Sequence, residues 1–112
     1  MTDLGAEKVV EGYSIMGPVK AALESVTRYL AAELGPKGVR VNAISPGPLA
    51  TRAASGIKQF ERILAKAAEK APTHQTVTIE EVGRSVAFLS TDAARNITGQ
   101  TIYLDGGYHV MG

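Results

Sequence analysis

The chain has no cysteine and no tryptophan among its 112 residues. Without thiols there is no disulfide framework, no thiolate chemistry and no Cys-based metal site. The net charge is only +1, and the Lys and Arg residues are scattered, which offers no nucleic-acid surface. No apolar run approaches the roughly 20 residues that cross a bilayer, and no signal peptide precedes the first helical pattern. The expected setting is therefore cytoplasmic, without a membrane partner. His74 and His109 stand far apart with no other candidate ligands at useful spacing, so both read as surface residues and no metal site is expected.

What is present suits one globular domain over residues 1–112: 45 % of residues are apolar and 21 % charged. Val19, Leu23, Val26, Leu30 and Leu34 recur at helical spacing, which predicts a long amphipathic helix with that stripe inward. Gly35 and Pro36 are expected to end it, a residue tolerant of positive φ followed by a helix breaker. The β-branched, apolar segment from Gly38 to Ile44 reads as a buried parallel strand, closed by Ser45-Pro46-Gly47-Pro48. Ile57, Phe60, Leu64, Ala67 and Ala71 predict a second helix stopped by Pro72. Thr78-Ile-Glu-Glu81 is a capping box, so a third helix should start near Ile79 with Val82, Val86 and Leu89 inward. Gln100 to Leu104 reads as a second strand before a Gly-rich exit.

The order helix, strand, helix, helix, strand is that of an α/β fold with a parallel sheet. Two short apolar strands cannot cover both faces and both edges of a sheet by themselves. The expectation is the carboxyl-terminal part of a Rossmann-like doubly wound parallel sheet, with two strands and about three main helices. Its amino-terminal half, where a G-x-G-x-x-G phosphate turn belongs, is missing from this sequence.

Two places carry chemistry. Tyr13 and Lys20 are seven residues apart, and on a helix that step returns to nearly the same face about 10 Å along the axis. A phenol can donate to a developing oxyanion, and a nearby cation makes it a better acid. The pair alone reads first as a helix-face tyrosine beside a solvated lysine. The second place is the loop Ser45-Pro-Gly-Pro-Leu-Ala-Thr51 after the first strand, where ligands of open α/β sheets lie. There Gly47 permits close approach, Leu49 presents backbone groups, and the Thr51 hydroxyl can meet a phosphate or cap the next helix.

Together, the Tyr/Lys segment, VRVNAISPGPLAT from Val39 to Thr51, and ITGQTIYLDGG from Ile97 to Gly107 resemble the short-chain dehydrogenase/reductase family. Most members place three residues between the catalytic Tyr and Lys. Here there are six, and that spacing, with GAEKVVEGYSIMGPVKAALE and AASGIKQFERIL around it, is similar to the NADH-dependent enoyl-acyl carrier protein reductases of bacterial fatty acid synthesis. The resemblance runs from about Leu4 to Gly107.

The resemblance implies reduction of trans-2-enoyl thioesters carried on acyl carrier protein, with NADH as cofactor and a homo-oligomer (a homotetramer in the family) as the assembly. By it, Tyr13 hydrogen-bonds the thioester oxygen and Lys20 holds the nicotinamide ribose. Leu49, Ala50, Thr51, Arg52 and Ala53 contact the cofactor, and Met16, Ala53, Ala54, Ile57 and Phe60 line the acyl pocket. By the same resemblance the 112 residues alone are expected to show little turnover. Two other readings stay open: a ketone or alcohol reductase of the same family, and a non-catalytic module that keeps the family's association surfaces. Two departures bear on the site. Asp3 stands where the family has a second tyrosine, and an ionised carboxylate there opposes an enolate. Pro18 cannot donate a helical N–H, so a regular helix starts close to Gly17 or kinks there.

Overall fold

The structure is a computed structural model that describes residues 1–51 and 60–112. A 3₁₀ turn over Leu4–Ala6 leads to helix α1, Met16–Leu34. Strand β1, Ala43–Pro46, is followed by helix α2, Phe60–Lys70, helix α3, Ile79–Leu89, and strand β2, Thr101–Leu104. The strands pair in parallel with Ala43 opposite Thr101 and Pro46 opposite Leu104. The expected order and fold class are both present.

The strand limits shift for a physical reason. Successive backbone groups point to opposite edges of a strand. Ala43 N–H donates to Gln100 O and Gly47 N–H to Leu104 O, so the ladder to β2 runs through the odd positions. Pro46 faces the other edge, where its missing N–H removes nothing, and it stays inside the strand that it was expected to close. Upstream, Gly38 to Asn42 is not strand. Asn42 bridges instead to the turn before β2, its amide donating to Ile97 O and accepting from Gln100 N–H.

On its other edge β1 meets the start of the chain, where Thr2 N–H donates to Ile44 O at 2.8 Å. The Thr2 hydroxyl donates to Glu24 Oε1 of α1 at 2.7 Å, and both residues are buried. Thr2 thus fastens the helix to the sheet.

Helix α1 starts at Met16, close to where Pro18 requires. It ends at Leu34, ahead of the Gly35-Pro36 pair expected to stop it. Gly35 keeps a right-handed φ of −51° and the chain tightens into a 3₁₀ turn over Gly35–Lys37. The positive φ falls at Gly38, +77°. The buried side of α1 is Gly17, Glu24, Thr27 and Ala31, not the apolar stripe. Val19 and Val26 are each 51 % exposed and Leu23 and Leu30 each 37 %. Periodicity correctly finds an apolar face, but the described residues leave it largely uncovered. In α3, Val82 and Leu89 are half-buried while Val86 is exposed, against expectation. The capping box at Thr78 is present in full. Among the described residues no helix is long and apolar enough to cross a membrane.

Candidate functional site

Tyr13 precedes α1 rather than riding on it. The chain turns at Gly12, φ +74°, and Gly17 N–H then donates to Tyr13 O at 2.8 Å. The phenol is therefore set at the amino end of the helix, while Lys20 sits one turn inside it. A shared helix face is not what unites them. Asp3 is: Tyr13 Oη donates to Asp3 Oδ2 at 2.9 Å, and Lys20 Nζ lies 3.9 Å from the same oxygen. Lys20 Nζ also donates to Met1 O at 3.2 Å.

The segment that carries Asp3 is held hard. Thr2 pins it to β1 and α1, and the other carboxylate oxygen of Asp3 accepts Gly5 N–H at 3.0 Å, which caps the 3₁₀ turn. Gly5 is where the turn passes under the Tyr13 ring. A Cβ there would meet Tyr13 ring carbons at 2.6 and 2.8 Å. A Cβ on Gly17 would meet Gly5 O at 2.9 Å, so the turn and α1 are pressed together through two glycines.

The electrostatics correct one expectation. The phenol is not acidified by the neighbouring cation. Burial first, and then the hydrogen bond and negative charge of Asp3, push the Tyr13 hydroxyl above the ordinary tyrosine value. It is a phenol held protonated. A cleft of about 410 Å³ opens beside it, lined by Tyr13, Ser14, Gly17, Ala21 and the Gly5–Val10 segment.

The other expected positions are scattered. Met16, the first residue of α1, is 41 % exposed and does not line that cleft. Leu49, Ala50 and Thr51 follow the carboxyl end of β1, where Thr51 N–H donates to Leu49 O at 2.8 Å in a tight turn. The close approach that Gly47 permits is to Asp105, whose Cβ would lie 3.3 Å from an added one. Phe60 is the half-buried first residue of α2. Arg52, Ala53, Ala54 and Ile57 lie outside the described residues.

Sequence reasoning missed Thr2, Gly5 and Glu24. The only signal was local: a Thr-Asp pair just ahead of a glycine, and a carboxylate four residues after Lys20, on the same side of the helix.

A second polar cluster forms after β2. Asp105 accepts Gly107 N–H at 3.0 Å, His109 N–H at 2.9 Å, and pairs with His109 Nδ1 at 2.9 Å. The His109 ring stacks on Tyr103 with centroids 3.8 Å apart, so His109 is half-buried and partnered rather than a free surface residue.

Comparison with known proteins bears on what these residues belong to. A family profile described as enoyl-(acyl carrier protein) reductase matches residues 1–109. The chain is 49 % identical over 112 residues to the NADH enoyl-acyl-carrier-protein reductase of Bacillus cereus, covering all of this chain and 44 % of that protein. It is 50 % identical over 107 residues to the Escherichia coli K12 protein of the same description, covering 96 % and 41 %. Among solved structures, the Bacillus cereus enoyl-acyl carrier protein reductase with NADP+ and indole naphthyridinone superposes with a TM-score of 0.94 at 50 % identity. It covers 99 % of this chain and 43 % of that one. The Aquifex aeolicus NADH enzyme gives 0.90 at 47 % identity. The chain thus spans less than half the length of the relatives it matches.

Proposed function

The chain belongs to the enoyl-(acyl carrier protein) reductase family, and from that membership we propose that residues 1–112 form the catalytic carboxyl-terminal part of one cytoplasmic, NADH-dependent enoyl-thioester reductase domain. The reaction is reduction of a trans-2-enoyl chain, carried on acyl carrier protein, to the saturated thioester. The observation that carries the reading is the convergence of Tyr13 and Lys20 on one fixed carboxylate at the amino end of α1.

The donor set suits the cofactor. Lys20 has three N–H donors; one serves Met1 O and one faces Asp3, which leaves a donor for the vicinal hydroxyls of a ribose. The turn at Leu49, Ala50 and Thr51 lies at the carboxyl end of β1, where an amide or a pyrophosphate would be met, and we assign Arg52 and Ala53 to the same cofactor contact. When bound, NADH supplies a hydride to the β-carbon of the enoyl chain. The protein's part is to meet the charge that then develops on the thioester oxygen. Tyr13 is the hydroxyl for that task, because its ring is already fixed against Gly5 and loses little freedom at the moment of reaction. Met16, Ala53, Ala54, Ile57 and Phe60 are proposed to shape the acyl side of the pocket.

The test follows NADH absorbance with a crotonyl thioester. The isolated chain should turn over slowly, and adding a polypeptide that spans the rest of the relatives' length should restore the rate. With Tyr13→Phe the restored rate should fall by about 10²-fold or more, the usual cost of one oxyanion donor. Restoration at an undiminished rate with that variant overturns the role of the hydroxyl. Turnover of ketones but not of enoyl thioesters overturns the substrate class.

A further inference from the structure

Asp3 has two oxygens and both are assigned. Oδ1 accepts Gly5 N–H, and Oδ2 accepts the phenolic proton of Tyr13. A hydroxyl has one proton to give. While Asp3 is ionised, that proton points at the carboxylate, and what Tyr13 turns toward any other group is lone pairs. A protonated Asp3 reverses the bond: its O–H donates to the phenolic oxygen, and the Tyr13 proton is released to point elsewhere.

We propose that Asp3 is a positioning residue that gates the Tyr13 proton, directing it inward when ionised and outward, to the substrate oxygen, when protonated. The proposal rests on the reductase reading for what lies outward, but not for the gate itself. In the open state the proton moves outward by relay. The Tyr13 O–H bond breaks toward the enolate oxygen as the Asp3 O–H bond breaks toward the phenolic oxygen. This leaves an enol that tautomerises to the saturated thioester, a neutral phenol, and an Asp3 carboxylate that solvent reprotonates.

Few groups face Asp3 among the described residues. Lys20 on α1 is the charged one, 3.9 Å from Oδ2. Glu24, one turn further along α1, is occupied by the Thr2 hydroxyl. Lys20 therefore neutralises the ionised form without offering Tyr13 an alternative acceptor. The raised phenol fits the same geometry, since an ionised Asp3 opposes a second negative charge on its partner.

The gate can be read on the 112-residue chain with no cofactor or substrate. Tyrosine labelled with ¹³C at the ring ζ position gives one signal per residue, and Tyr13→Phe assigns the Tyr13 signal by its loss. The wild-type Tyr13 signal should move as acid protonates Asp3 and should ionise at a higher pH than free tyrosine. In Asp3→Asn the acid step should vanish and the alkaline midpoint should fall. Asparagine keeps an oxygen for Gly5 N–H, and far-UV circular dichroism checks that the fold survives. The wild-type acid step needs no variant at all. A Tyr13 signal flat through the acid range while the fold persists, or an unchanged alkaline midpoint in Asp3→Asn, overturns the gate. An acid step without reductase turnover after reassembly sinks the reductase reading alone, and turnover without the step sinks the gate alone.

Discussion

Tyr13 is placed by residues with almost no side chain of their own. Gly5→Ala puts a Cβ into the Tyr13 ring, and something must move. The expected cost is about 1–3 kcal/mol, the usual range for overpacking a tight site. Denaturant midpoints measure it, and the labelled Tyr13 signal should lose its acid step at the same time. Gly35→Ala is the contrast, because among the described residues nothing beyond its own chain neighbourhood lies within 4 Å of its added Cβ and its φ is −51°. There the change should be neutral or stabilise by up to about 1 kcal/mol. Tyr103 shares the buried-phenol character: its hydroxyl has no hydrogen-bond partner among the described residues. Burial first, then nearby Glu7, pushes it up. Both phenols keep their protons in the folded chain at a pH where the unfolded chain has lost them. Their contribution to stability is then constant below about pH 9 and is lost as pH climbs above about 10, the ordinary tyrosine value. Melting temperature against pH should show that decline, and Tyr103→Phe should flatten it. An equally steep decline in the Tyr103→Phe chain removes the buried phenol as its cause. The Tyr/Lys spacing was legible in sequence because it is local. Thr2, Gly5 and Glu24 were not, because their partners lie 22, 8 and 22 positions away and only the fold brings them together.

At the scale of elements, what sequence reveals best is what neighbours alone decide. The capping box is satisfied within four residues: Thr78 Oγ1 accepts Glu81 N–H at 3.2 Å, and Glu81 Oε2 accepts Thr78 N–H at 2.8 Å. It was readable for that reason, as was the start of α3. Thr78→Ala should destabilise the chain by about 1 kcal/mol, seen as a lower denaturant midpoint. The backbone hydrogen bond from Thr78 holds the Glu81 carboxyl below its ordinary value. Its contribution is therefore present above about pH 4.3, the free glutamate value, and is lost as pH falls through the lower folded value. Glu81→Gln should remove that acid-side dependence, and a chain whose acid sensitivity is the same with glutamine rules the box out as its source. Strand limits were less legible. Whether Pro46 ends or continues β1 depends on which edge its nitrogen faces, and that depends on β2, over fifty residues later.

The whole molecule is short of cover. By size scaling a folded monomer of 11.8 kDa exposes about 5,900 Å², whereas this chain exposes 7701 Å². Among the described residues the buried apolar set is almost all alanine, with Ile44 the one larger side chain beside Ala31, Ala43, Ala67, Ala71 and Ala94. Meanwhile Val19, Leu23, Val26 and Leu30 form a continuous uncovered stripe along α1. A helix with that face open gains free energy by meeting another apolar surface, at about 25 cal/mol per Å² removed from water. The sequence carried the stripe but not its occupant, since periodicity records that a face is apolar and says nothing of which chain covers it. The relatives are more than twice as long, and we propose as cover the remainder of a reductase domain, with a second copy of this chain as the alternative. We expect the isolated chain to self-associate, with a light-scattering mass that rises with concentration above that of 112 residues. Val26→Lys with Leu30→Lys should lower that mass toward the monomer, because a charge on each of two successive turns makes burial of the stripe costly. The same pair should also weaken reassembly with the rest of the domain in the crotonyl-thioester assay if that polypeptide seats on this face. A wild-type chain that stays monomeric at every concentration and reassembles equally well with both lysines in place would show that the stripe is covered by neither.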